Sequence, residues 1–195
     1  MPLRTSALPV GLSIGALLAG LLLLSAARGA DAVSNLVRVV PVKVLAFDAT
    51  TRFRLPAGVS GRIALTEDGS AIAAALDGFL YSVTSEGKLA WKRSLGAPSF
   101  GGVLRTQQGS LYVGTDAGWL WSFDARGTLR FVLDLGGKIE MAPALSPRGY
   151  VVVCAGREVI SVGLDGKVGF RFRAWGKFFA SPVISADGDI FIGSE

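Results

Sequence analysis

Apolar and polar positions divide this chain into two unlike parts. An apolar stretch runs from Ala7 to Ala27 and ends in Leu21-Leu22-Leu23-Leu24-Ser25-Ala26-Ala27, with Arg4 as the only charge before it. Beyond about residue 36, short apolar runs alternate with clusters of Gly, Asp, Ser and Thr, the rhythm of strands joined by tight turns. Runs such as Phe79-Leu80-Tyr81-Ser82-Val83, Trp119-Leu120-Trp121-Ser122-Phe123 and Val159-Ile160-Ser161-Val162 are nearly continuous in apolar residues, as expected of strands buried on both faces. No helix is predicted outside the leader.

The strands recur with a period. Gly69, Gly109, Gly149 and Gly188 are spaced 40, 40 and 39 residues apart, and Gly87, Gly127 and Gly166 follow the first three by 18, 18 and 17. Ser82, Ser122 and Ser161 hold one small position, which Ala46 takes in an eroded copy, Val44-Leu45-Ala46-Phe47-Asp48. Asp68-Gly69, Asp77-Gly78, Asp165-Gly166 and Asp187-Gly188 are hairpin dipeptides. In the best-preserved copy, strands are predicted at Ser110 to Gly114, Trp119 to Asp124, Thr128 to Asp134 and Ala142 to Ser146. Four antiparallel strands per forty-odd residues predict an all-β fold, a β-propeller. The predicted blades are 33–68, 69–108, 109–148 and 149–187, with 188–195 starting another, about four in a partial ring. The column Ala74, Gly114, Cys154 and Gly193 would allow blades to approach closely.

Composition removes much chemistry. There is no histidine, so Ser-His triads and His-ligated metals are excluded. Cys154 is the only cysteine, so the chain can form no internal disulfide and no thiolate cluster, and it reads as a small core residue. A net charge of +5 is scattered singly, without the stripe that nucleic acid requires. The leader has the layout of a secretory signal peptide, and Ala30-Asp31-Ala32 places cleavage between Ala32 and Val33. The alternative is an uncleaved membrane anchor over residues 7–27. No cysteine follows the apolar run, so it carries no lipidation site.

The repeat itself carries a resemblance. Apolar-apolar-small-apolar, a turn glycine, then an aromatic four residues later appears as Ser82 through Gly87-Lys88 to Trp91, Ser122-Phe123-Asp124 through Gly127 to Phe131, and Ser161 through Gly166-Lys167 to Phe170. A small-Pro-x-apolar strand opener appears as Ala142-Pro143-Ala144-Leu145 and Ser181-Pro182-Val183-Ile184. This pattern resembles the pyrroloquinoline-quinone-like propeller repeat over residues 36–195. The resemblance implies that Trp91, Phe131 and Phe170 are docking aromatics between blades. Some members are quinoprotein dehydrogenases that hold the quinone and calcium at the axis. Here the vicinal Cys-Cys pair of their alcohol dehydrogenases is missing, the Asp residues sit mostly in turns, and Asn35 is the only asparagine. A fragment of such an enzyme is therefore the alternative reading.

The leading expectation is a non-catalytic binding or scaffold module of the cell envelope, with protein partners, no cofactor and no nucleic acid. In repeat type the chain is similar to the propeller subunit of the outer-membrane β-barrel assembly machinery. Phe170 to Phe179 alternates cations with aromatics, and Arg171, Arg173, Trp175 and Phe178 are the candidate partner contacts. Family rings close with about seven or eight blades, so an open arc is expected to self-associate through its end faces. The rival is a four-bladed ring in which 188–195 completes the eroded first blade. Exported protein is expected to begin at Val33, and N-terminal sequencing checks this.

Overall fold

The computed structural model describes residues 53–194, so the leader, its cleavage position and the eroded copy at 44–48 lie outside the described residues. The described residues form fourteen strands and no helix. Strands β1 (Ala64–Leu65), β2 (Ala71–Ala74), β3 (Phe79–Val83) and β4 (Leu89–Ser94) make one antiparallel sheet in chain order. The second sheet is β5 (Val103–Arg105), β6 (Leu111–Gly114), β7 (Trp119–Phe123) and β8 (Leu129–Asp134). The third is β9 (Ala144–Leu145), β10 (Tyr150–Ala155), β11 (Glu158–Gly163) and β12 (Val168–Arg173), and β13 (Val183–Ile184) pairs with β14 (Ile190–Phe191). The architecture is a β-propeller with three complete blades and two strands of another, an open arc.

Each structural blade begins one strand earlier than the glycine-to-glycine repeat. The strand at Ala144–Leu145, assigned from sequence to the repeat 109–148, pairs instead with Val151 and Val152 of the following sheet. The cause is local. Ser146 N–H donates to Tyr150 O at 2.8 Å and Gly149 N–H to Ser146 O at 3.0 Å, so the turn folds the strand forward onto β10. The same geometry at Thr66 to Ser70 pairs Ala64 with Ile72. The first glycine column therefore lies inside the blade, between its first and second strands.

No blade has a core of its own. Ile72, Ala74 and Leu80 of the first blade pack with Val103, Leu111, Val113 and Phe123 of the second. Leu104, Tyr112 and Leu120 on the other side of the second blade pack with Val151, Val153, Ile160 and Val162 of the third. The third blade in turn packs Val152, Cys154 and Val159 against Phe178, Ile184 and Ile190. In the second and third blades the second and third strands are thus covered on both sides, and that is why their apolar runs are continuous. The fourth strands β4, β8 and β12 are far more exposed. Near the first strands the backbones themselves touch: Val103 N–H donates to Arg62 O at 2.9 Å, and a Cβ on Gly61 would overlap the backbone of Gly102.

The second glycine column has a different job. Gly127 holds φ at 75°, and a Cβ there would come within 2.9 Å of the Trp91 ring from the preceding blade. Gly166 holds φ at 87°, and its Cβ would meet the Phe131 ring at 3.0 Å. Each aromatic lies on the turn of the next blade, and Arg93 Nε closes the first contact by donating to Gly127 O at 2.6 Å. Trp91 and Phe131, expected from the resemblance to be docking aromatics, each lie against the turn glycine of the following blade. Phe170 occupies the same position on β12, edge-on to Tyr150 at 6.1 Å, with no turn glycine upon it among the described residues. Gly127→Ala is expected to cost about 1–3 kcal/mol. Gly136→Ala, with φ at 81° but nothing within 4 Å, is expected to cost less. Denaturant melts of the two variants isolate the aromatic overlap from the backbone strain, and equal costs would refute the docking role.

Candidate partner-binding site

Strand β12 presents alternate side chains to opposite sides. Phe170 and Phe172 face the groove toward β14, and Arg171 and Arg173 project from the other side. The register sets Arg171 opposite Ile160 and Arg173 opposite Glu158. Arg171 Nη1 donates to Glu158 Oε2 at 2.9 Å and lies 3.3 Å from Leu135 O of the preceding blade. Arg171 is therefore an inter-blade clasp more than a free contact. Arg173 has no acidic partner among the described residues.

After β12 the chain turns back across the β10–β11 hairpin, where Ala174 N–H donates to Arg157 O at 2.8 Å. That bond brings Arg157 to the same place, and Arg157, Arg173, Ala174 and Trp175 bound a shallow cleft of about 340 Å³. Trp175 is 99% exposed. Phe178 is only 8% exposed and packs with Val152, Cys154 and Val159, so it serves the core and is not a surface contact. Of the four residues expected from sequence, Arg173 and Trp175 share the cleft, Arg171 borders it through Glu158, and Phe178 is elsewhere. Arg157 was not expected. Its signal lay in the hairpin itself: earlier blades carry Asp77-Gly78 and Asp116-Ala117-Gly118 at this turn, whereas the third has Gly156-Arg157, a cation in place of an acid.

Several other ionisable groups are committed to structure. Asp124 Oδ1 accepts from Thr128 N–H at 2.8 Å and Arg126 N–H at 2.9 Å, and these bonds, Thr128 first, hold its carboxyl below the usual range. Asp165 is lowered likewise, first by Lys167 N–H. Asp68 is lowered by the Thr66 hydroxyl and then by Ser70 N–H. Burial, then the hydrogen bond to Asp77 at 2.5 Å, pushes the Tyr81 phenol up to about 12. Burial alone pushes the Cys154 thiol up to about 12, which leaves it neutral and unreactive. Among the described residues no three Asp, Glu or Cys converge. Asp68, Asp124 and Asp165 lie on separate turns and accept from neighbouring backbone N–H groups, so these three form no convergent oxygen set of the kind calcium takes.

Fold and site together define a β-propeller segment with a cationic, aromatic cleft on its loop face. No protein-family model matches the chain, and no curated protein matches it in sequence. In structure it is similar to BamB from Moraxella catarrhalis, with a TM-score of 0.63 and 23% identity over 73% of this chain and 44% of that one. The WD40 β-propeller domain of Doa1 aligns with a TM-score of 0.62 and 17% identity over 72% of this chain and 49% of its own. A chain of the mitotic checkpoint complex aligns with a TM-score of 0.61 and 14% identity, over 70% of this chain and 46% of that one. This chain spans less than half the length of each, and the likenesses establish the propeller fold.

Cys154 is expected to resist alkylation at neutral pH in the folded protein and to react fully in denaturant; mass spectrometry reads both states. A second outcome follows from the turn carboxylates. Their folded pKa values lie below the unfolded ones, so their stabilisation is complete above the unfolded value and is lost as pH falls through the folded value. Thermal melts across about pH 5 to pH 2 should fall less steeply for the Asp124→Asn, Asp165→Asn double variant than for the wild type.

Proposed function

We propose that this chain is an exported, non-catalytic propeller module that holds a protein partner at the loop-face cleft around Trp175. The observation that carries this reading is the exposure of Trp175 beside two cations, Arg157 and Arg173, that form no ion pair among the described residues. A fully exposed indole has a large apolar area to bury and one N–H to satisfy, and such residues concentrate binding energy at interfaces. The other nucleophilic and acidic groups analysed above are tied into turns or buried in the core. The leader at residues 1–32 supports export, and a secreted propeller with this repeat type fits a scaffold of the cell envelope.

The groove between the third blade and β14 supports a second use. Val159, Phe170, Phe172, Phe178, Ile190 and Ile192 line a groove of about 360 Å³, and Phe172 and Phe191 are exposed. Such a surface favours self-association of open arcs. In the rival four-bladed closure the last strand would complete the eroded copy, which lies outside the described residues; Ile190–Phe191 pairs instead with Val183–Ile184.

The cleft reading is tested by placing a photo-reactive residue at Lys177 and irradiating whole cells. Discrete adducts to envelope proteins are expected, and they should vanish in Trp175→Ala. Adducts that persist without the indole would remove the cleft from the interaction.

A further inference from the structure

We propose that the cleft selects an acidic polypeptide segment, one whose carboxylates flank an apolar or aromatic side chain. The inference rests on the cleft being the partner site and names the chemistry of what it holds. Some cations of the described surface are neutralised by a nearby acid: Arg105 by Glu67 at 3.2 Å, Lys138 by Asp116 at 2.9 Å and Lys167 by Asp165 at 3.0 Å. At the cleft the local acid, Glu158, is already taken by Arg171 at 2.9 Å. Arg157 and Arg173 are left as two exposed guanidiniums with no acidic partner among the described residues, set next to each other by the bond from Ala174 N–H to Arg157 O.

A guanidinium is a planar fork that meets a carboxylate through two parallel hydrogen bonds, and it stacks readily beside an indole. The cleft therefore offers positions for carboxylates next to a flat apolar platform. Its volume of about 340 Å³ suits one or two side chains of an extended segment. A nucleic acid would need a continuous basic stripe along the surface. Here the cations outside the cleft are scattered, and several are neutralised by their own acids.

The test uses the full chain and three fluorescein-labelled probes: a twelve-residue peptide alternating Glu and Phe within a Ser-Gly background, its Gln-for-Glu counterpart, and a single-stranded oligonucleotide. Anisotropy is expected to show salt-sensitive binding of the acidic peptide and none of the Gln peptide. Arg157→Gln and Arg173→Gln should each weaken it by about tenfold. Circular dichroism confirms that both exposed variants are folded. Binding should also shift the emission of Trp175 to shorter wavelength, a change absent in Trp175→Phe. Equal binding of the two peptides, tighter binding of the oligonucleotide, or unchanged affinity in both arginine variants would overturn the proposal. The cellular adducts separate this from the broader reading. Adducts that need Trp175 but survive the loss of both arginines keep the partner site and remove its acidic selectivity. Acidic-peptide binding without Trp175-dependent adducts keeps the selectivity and removes the cellular partner.

Discussion

A four-stranded blade has two apolar faces and nothing inside it to bury them, so its stability depends on contact with the next blade. That constraint organises the whole arc. Ile72 and Leu80 are dry only because Val103, Leu111 and Phe123 cover them, and Tyr112 and Leu120 only because Val151 and Ile160 do. Blades so packed behave as a linear array in which neighbouring contacts supply most of the stability. It also accounts for the small column. Gly114 sits where a Cβ would overlap Ile139, and Ala74 and Cys154 occupy the equivalent position in their own blades, so the sheets can close up without voids.

Face-to-face burial fixes distance but not angle, and angle is supplied by the aromatic seats. Trp91 on Gly127 and Phe131 on Gly166 join the outer strand of one blade to a turn of the next, far from the first-strand contact between Arg62 and Val103. Two separated contacts prevent a blade from pivoting about its neighbour. The turn glycine serves both requirements at once, because positive φ forms the hairpin and the missing Cβ makes room for the ring. Arg93, donating to Gly127 O with its guanidinium 5.4 Å from the Trp91 ring, ties the ring, the turn and the charge together.

The cleft proposed for a partner lies outside the core between blade faces. The β10–β11 hairpin and the connection after β12 belong to one blade, and a single backbone bond from Ala174 to Arg157 brings them together. These short loops set Arg157, Arg173 and Trp175 around one cleft. Other reactive groups are engaged in the fold: Asp124 and Asp165 staple turns, the Cys154 thiol fills a core position, and the Tyr81 phenol hydrogen-bonds to Asp77.

The sequence by itself determined the propeller, because Gly69, Gly109, Gly149 and Gly188 mark turns and the apolar strands between them are too continuous for one-sided burial. It also placed an aromatic four residues after each turn glycine, at Trp91, Phe131 and Phe170. Local pattern carries such information because hairpins and strand periodicity are local physics. Only the tertiary structure decided where each blade begins: Ala144–Leu145 could pair backward or forward, and the turn hydrogen bonds at Ser146 and Gly149 settle it. Only tertiary structure separated Phe178, turned into the core, from Trp175, turned out to water three residues earlier in the same loop. It alone brought Arg157 to Arg173 across sixteen residues of sequence, because that contact depends on a hydrogen bond between a hairpin and a strand end, and no spacing along the chain encodes it.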